Sequence, residues 1–448
     1  MAQKVFIVSL GCPKNLVDSE MMLGVLAESG FLPCDSSEEA DLLLVNTCGF
    51  IQSAVEEGID EILALVDVKL AHPEKKLAVV GCMVQRYGAD LAKEFPEVDL
   101  FVGTEGTQNI GERLQGLAGS SFNKVQLAAP TFLVDSTMPR RLSTPAHRAY
   151  MKVTEGCSNR CTYCMIPSLR GPLRSRSLDD LVAEARILAA AGIKELTLVA
   201  QDLTAYGHDL GPGSARLVDL LTAILAETEI PWLRLLYLYP VRVDERLLRF
   251  MAAQPRIVPY LDIPLQHVSS KVLKAMNRPY TREQVGGLMR LIRDHLPQAA
   301  IRTTFMVGFP GETEEDVDQI ASFMEEYRLA HVGIFEYSNE EGCAAHAMAD
   351  QCPDEVKAAR RARLMELQAS ISLELNKQMV GQVQQVLVEG VSKETDLLLE
   401  GRTGFQAPDI DGCVYINSGE CAPGEFVDVL ITEAHPYDLV GELVEAQG

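Results

Sequence analysis

Between Glu155 and Cys164 the chain reads Glu155-Gly156-Cys157-Ser158-Asn159-Arg160-Cys161-Thr162-Tyr163-Cys164, three thiols at the spacing C-x3-C-x2-C. This stretch constrains the fold more than any other. Thiolates are the natural ligands of iron–sulfur clusters and of zinc. A closed site of either kind takes four protein ligands. Three clustered thiolates therefore point to a [4Fe–4S] cluster with one iron left open to bind a small molecule and pass it an electron. The spacing lets one loop wrap one cluster, and Gly156 eases the turn. Two alternatives stand beside this reading: a zinc knuckle short of one ligand, or three packed core cysteines.

The chain has 11 cysteines in 448 residues. With no apparent secretion signal before the strand-like Val5-Phe6-Ile7-Val8, they point to a reducing, cytoplasmic setting and to metal rather than disulfides. No apolar run is long enough for a membrane span. A second trio is spread over the first hundred residues. Strand-like runs at Val5–Leu10, Leu42–Val45, Leu77–Val80 and Leu100–Val102 alternate with helical stretches at Asn15–Ser29, Ser53–Val68 and Tyr87–Phe95. That alternation implies a parallel sheet covered on both faces. Cys12, Cys48 and Cys82 each follow one of its strands, so parallel strands place all three at one sheet edge, where α/β sites form. Core packing explains that placement poorly; a second three-thiolate cluster explains it well. Cys34, Cys343, Cys352, Cys413 and Cys421 read as small core or surface residues.

Gly116 to His147 reads as a linker. Beyond it six further strand–helix units, opening at Tyr150–Thr154 and closing at Val332–Tyr337, fit an open partial (β/α)6 barrel whose chemistry sits at the strand ends. The charged amphipathic stretch Glu355–Gln378 reads as a closing helix. From about residue 377 the pattern changes to short strands with Gly, Asn, Asp and Pro turns, which suggests a small antiparallel β-barrel of the OB type. The expected fold class is thus α/β with three domains, at 1–118, 143–374 and 377–444. The net charge is −23, unevenly spread: residues 1–120 carry 8 basic and 19 acidic residues, and residues 377–448 carry 3 and 13. A chain so acidic is a poor nucleic-acid binder and attracts a basic partner. Asp396, Glu400, Asp409, Asp411, Glu420, Glu425 and Asp428 are the carboxylates expected to meet it.

The loop at Cys157, Cys161 and Cys164, with Tyr163 before its last Cys, resembles the signature of radical S-adenosylmethionine (SAM) enzymes. In that family the open iron chelates SAM and electron transfer cleaves it to a 5′-deoxyadenosyl radical. Strand-end residues Gln201, Gln266 and Gly308, with Arg302, which like Thr304 is expected to point inward from the strand Ile301–Val307, are then candidates for SAM contact. The glycine-rich SAM loop of many such enzymes is absent, since Val199-Ala200-Gln201-Asp202 stands in its place. His267 is a candidate ligand or proton donor, with a structural role at least as fitting. Arg170, Arg174 and Arg176 either hold a carboxylate or form a solvated face. Ser9-Leu10-Gly11-Cys12-Pro13-Lys14-Asn15, Asn46-Thr47-Cys48 and Gly81-Cys82 look like the N-terminal domain of methylthiotransferases, and the last domain resembles the TRAM domain that ends them. The resemblance implies a second [4Fe–4S] cluster at Cys12, Cys48 and Cys82, SAM as cofactor, and an electron donor such as a flavodoxin-type protein. Within that family Gly11-Cys12-Pro13-Lys14-Asn15, Met165–Gly171, Ala200–Thr204 and Leu261–His267 look like the branch that modifies an aspartate of a basic protein, small-ribosomal-subunit protein twelve. The branch that modifies a transfer-RNA adenosine fits them less well. A non-enzymatic, zinc-binding ribosome adaptor is the alternative of another class.

Overall fold

A computed structural model describes residues 3–118 and 123–444. Residues 1 and 2 of the expected first domain, and 119–122 of the expected linker, lie outside the described residues. In the first unit six parallel strands run in the order Phe31–Pro33, Gln3–Ser9, Leu42–Thr47, Lys76–Gly81, Leu100–Val102, Val125–Gln126. Leu42–Thr47 is buried at every position, as a parallel sheet with both faces covered demands. The helices Pro13–Glu28, Gln52–Ala71 and Cys82–Glu94 make the crossovers. Three adjacent strands therefore deliver Cys12, Cys48 and Cys82 to the same edge, as expected.

The segment from Gly116 to His147 is more than a linker. Val125–Gln126 adds the sixth strand, and Val134 is buried against the first unit's core. Arg140 then clamps two units together: its Nη2 and Nη1 reach Glu20 at 2.7 Å and Glu184 at 2.6 Å. Strands this short leave little periodic signal to read in the sequence.

Six parallel strands follow: Arg148–Lys152, Glu195–Val199, Trp232–Leu235, Tyr260–Asp262, Ala300–Val307 and His331–Glu336. They form two three-stranded sheets, joined through the parallel bridge Leu233–Ile257 and the bond from Leu238 N–H to Asp262 C=O at 2.8 Å. This is the expected open, partial barrel. The first unit packs against its free edge strand, where Asp18 of helix Pro13–Glu28 pairs with Lys152. On the far side Arg86 pairs with Glu340 at 2.7 Å. Helix Asp354–Lys377 leads to the last unit.

That last unit is a closed barrel of five strands, Val383–Val391, Leu399–Thr403, Val414–Ile416, Leu439–Leu443 and Phe426–Ala434 in spatial order. It corrects the sequence reading in two ways. The fifth strand, Leu439–Leu443, was not expected, and its pairing with Val414–Ile416 is parallel, so the barrel is not wholly antiparallel. Its position is a third finding. It floors the central barrel: Leu387, Ala407 and Phe426 pack on Trp232, Val258 and Tyr260. Asp411 accepts the Tyr260 hydroxyl at 2.6 Å and faces Arg302 and His331 at 3.4 and 3.5 Å. Asp409 pairs with Arg148 at 2.7 Å. Asp409 and Asp411, expected to meet a partner, are thus already engaged within the molecule; Asp409 keeps a half-exposed side chain, whereas Asp411 is 3% exposed.

Candidate active site

The carboxyl ends of the central strands and the cysteine edge of the first sheet face each other across a cavity of about 350 Å³. All six trio cysteines line it: Cys12, Cys48 and Cys82 from the first unit, Cys157, Cys161 and Cys164 from the loop after strand Arg148–Lys152. Neither trio owns the space alone.

Each trio is held by its surroundings. Cys12 caps helix Pro13–Glu28 and Cys82 begins helix Cys82–Glu94, and helix N-termini favour a thiolate. A Cβ on Gly11 would lie 2.9 Å from Cys48 Cβ and 3.3 Å from its Sγ, so glycine leaves that thiol its room. Asn15 donates to the Leu10 and Thr47 carbonyls at 2.8 and 3.1 Å, tying two cysteine-bearing turns together. The second loop is pinned along its length. Cys157 N–H donates to Gly171 C=O at 3.1 Å, Asn159 to Asp202 at 2.8 Å, and Thr162 to Ala275 C=O at 3.0 Å. Asn277, itself left-handed at φ 57, donates to Arg160 C=O at 2.6 Å. At Gly156, φ 72 brings the chain so close to Pro172 C=O that a Cβ would lie 2.2 Å from it.

Burial pushes the Cys48 and Cys164 thiols up to about 11 and about 12. It raises Cys82 as well, against the pull of Arg170. A metal held by these thiols would have to displace their protons. Arg170 is the strut between the trios. Its Nε donates to Cys82 Sγ at 3.2 Å, Nη1 to Asp18 at 2.6 Å and Nη2 to Asn15 Oδ1 at 2.6 Å. Burial opposes the charge of Glu155, yet Lys152 and Arg170 outweigh it and bring its carboxyl to about 2.

Of the four candidate SAM contacts, Gln201 and Gln266 line the cavity. Gln201 donates to Glu155 at 3.2 Å while its buried Oε1 has no partner. Gln266 is held left-handed at φ 69 between Thr304 C=O and Met306 N–H. Arg302 and Gly308 are not among the residues that line the cavity. Arg302 points into the lumen, but at its floor, where Asp262 and Asp411 engage it. Gly308 gives its N–H to Glu312 at 2.8 Å, and a Cβ there would meet Lys357 Cγ at 2.3 Å; its smallness serves helix packing. His267 is fully buried, with Nδ1 accepting from the Val268 and Ser269 N–H groups at 2.9 Å each, a structural role. Arg176 is buried on Asp180 and Glu184 rather than solvated, and among the described residues Arg174 bonds only backbone carbonyls.

Three wall residues escaped the sequence reading. Tyr237 is left-handed at φ 63, with its N–H on Asp262 at 2.9 Å. Lys14 sits over the Tyr237 ring. Arg278 stacks near Tyr239 and Tyr280 with a buried, unpartnered Nε. Non-glycine left-handed residues mark functional sites often enough to be a useful sign, but no sequence pattern announces them. Lys14 alone offered a signal, as a charge two residues from Cys12.

Comparison with known proteins places this geometry. Residues 4–103 match the Uncharacterized protein family UPF0004, residues 151–324 the Radical SAM superfamily, and residues 380–444 the TRAM domain. A protein of Desulfotalea psychrophila named "Ribosomal protein uS12 methylthiotransferase RimO" is 56% identical, over 99% of this chain and 100% of that one. Proteins of the same name from Anaeromyxobacter sp. and Geobacter sulfurreducens are 49% and 46% identical, each over 99% of this chain and over 94% and 99% of their own. Among solved structures, the radical SAM methyltransferase TsrM of Kitasatospora setae, with cobalamin and a [4Fe–4S] cluster bound, superimposes with a TM-score of 0.55 at 16% identity, over 86% of this chain and 77% of that one. The cobalamin-dependent SAM radical enzyme OxsB gives 0.54 at 13% identity, over 82% and 56%. These two likenesses bear on the fold alone. Near-full-length identity on this scale leaves one conclusion: the chain belongs to the RimO family of ribosomal protein uS12 methylthiotransferases.

Proposed function

We propose that this enzyme uses SAM and two [4Fe–4S] clusters to add a methylthio group to the β-carbon of an aspartate in ribosomal protein uS12. The carrying observation is the single cavity with one cysteine trio in each of two facing walls. Cys157, Cys161 and Cys164 would hold the cluster that binds SAM, and Cys12, Cys48 and Cys82 the cluster that carries the sulfur. Bound there, the two groups supply a radical that removes hydrogen from carbon and a methylated sulfur that takes its place.

The residues present suit these guests. Three thiols per trio leave one iron of each cluster free for SAM or sulfur. The orphaned Gln201 Oε1 and Arg278 Nε are an acceptor and a donor left over inside the wall, which match the ammonium and carboxylate of SAM's amino-acid end. The six thiols line one cavity, three from each wall, a soft donor set of the kind that holds iron–sulfur clusters. The chain's own part is to hold reactants in line and keep water out, through Arg170 between the trios and the left-handed turns at Tyr237 and Gln266. The acid-rich last domain suits a Lys- and Arg-rich ribosomal protein and disfavours phosphate. The electron donor is proposed to be a flavodoxin-type protein.

Iron counting tests the two-cluster reading. The Cys157→Ala, Cys161→Ala, Cys164→Ala variant, purified without oxygen, should keep roughly half the iron and sulfide of the parent, as one of two equal clusters is removed. Loss of all iron would mean a single shared cluster, and a colourless parent holding zinc would refute the enzyme reading.

A further inference from the structure

Three cations stand in the cavity wall: Lys14, Arg170 and Arg278. Arg170 is taken by Asp18 and Glu155. Lys14 and Arg278 have no carboxylate partner among the described residues. Arg278 lies beside Cys161 and Tyr163, at the SAM-binding trio. Lys14 lies at the other trio, two residues from Cys12.

Lys14 is 8% exposed, and its Nζ lies 3.4 Å from the centre of the Tyr237 ring. An aromatic face attracts an ammonium but carries no counter-charge. Asp262 is near enough for its charge to act on Lys14, yet it is engaged by Tyr237 N–H at 2.9 Å and Arg302 at 3.3 Å. A buried ammonium without its own carboxylate is unfavourable. Thiolates of the first trio would offset part of that charge, since Cys12 is close enough to act on Lys14, but they offer it no carboxylate oxygens to bond; a ligand's carboxylate does. Two guests carry one. SAM's amino-acid end has its own unpartnered atoms at the far trio, on Gln201 and Arg278. The substrate aspartate is the guest left for Lys14.

We infer that Lys14 Nζ receives the side-chain carboxylate of the residue being modified and thereby selects aspartate; this rests on the methylthiotransfer reading above. The choice has a geometric consequence. The β-carbon of aspartate is one bond from its carboxylate carbon, so anchoring the carboxylate at Lys14 fixes the reacting carbon beside the first trio. Asparagine has the same shape and no charge, and Lys14 binds it weakly.

The test uses the full chain, reconstituted with iron and sulfide without oxygen and saturated with SAM. Two uS12 peptides are the probes, one spanning the target aspartate and one with asparagine in its place. Affinity is read by fluorescence anisotropy without reductant, and kcat/KM with it. The parent should prefer the aspartate peptide by ~30-fold or more, the scale of a desolvated charge pair. Lys14→Met should bind the two peptides alike, and Lys14→Arg should keep most of the preference. Lys14→Gln repeats the comparison if the Met variant loads too little iron. Retention of the preference by both neutral variants overturns the inference. So does a loss of SAM affinity with the preference intact. A parent that loads iron yet modifies neither peptide nor whole uS12 would instead sink the methylthiotransfer reading itself, and this inference with it.

Discussion

Charged side chains that no solvent reaches do much of the organising in this molecule. Arg170 is 7% exposed and bonds Asp18, Asn15 and Cys82 at once. Arg170→Met should lower the unfolding free energy by about 3 kcal/mol, because one partner of a buried network is removed and the rest are left unpaired. A urea midpoint unchanged from the parent would contradict that role. Glu195 shows the same logic at the barrel floor, where Arg234 and Arg402 each approach it to 2.5 Å. Burial opposes its ionisation, but the two guanidiniums win and bring it from the ordinary 4.5 to about 2. A depressed carboxyl stabilises the fold fully above its unfolded pKa and ceases to as the pH falls through its folded one. Stability should therefore drop as the pH falls from about 4.5 toward 2. Glu195→Gln should be less stable at neutral pH and lose less across that window. Urea midpoints against pH provide the measurement, and an undiminished acid slope in the variant would count against Glu195.

At the scale of elements, the cluster loop depends on its neighbours more than on its own sequence. Asn277 holds Arg160 C=O from the end of helix Ser270–Ala275. Asn277→Leu removes that bond and puts a branched side chain at a left-handed position. Iron at Cys157, Cys161 and Cys164 should then be lost selectively, leaving about half of the total; iron content equal to the parent's would contradict this. Much at this scale could be read beforehand. Helices Leu217–Glu227, Arg282–His295 and Glu314–Tyr327 alternate with the strands as the six strand–helix units implied, and Thr281 caps the second of them. The two cysteine trios were legible because spacing and strand-end position are properties of the chain order. Val125–Gln126 and Phe31–Pro33 were not, since edge strands of two or three residues carry no period. The depth of Arg302 was not legible for a related reason. Alternation along Ala300–Val307 correctly turned it inward, but says nothing of depth, and only the fold shows that its level of the lumen belongs to Asp411.

The whole molecule is a central barrel open at one side and at the bottom, completed by its two neighbours. The first unit closes the side and brings half the thiols; the last closes the floor. Removing residues 377–448 should therefore expose Trp232, Val258 and Tyr260 and take Asp411 from Arg302 and Arg402 from Glu195, leaving each with one of its two partners. The truncated chain should aggregate or lose its clusters rather than persist as a soluble SAM-cleaving core. Recovery of such a core with full iron would show that the last domain is an appendage. The central claim, that two trios in one cavity join methylthio sulfur to a protein carbon, has one direct measurement. The anaerobically reconstituted enzyme is given SAM, a reductant and an equal mixture of uS12 and transfer RNA, and both are analysed by mass spectrometry. The account predicts one methylthio group on a single uS12 aspartate, none on the RNA, and no product when Cys12 or Cys157 is replaced by Ala. Methylthiolated adenosine with unmodified uS12, or full product from the Cys12→Ala enzyme, would contradict it.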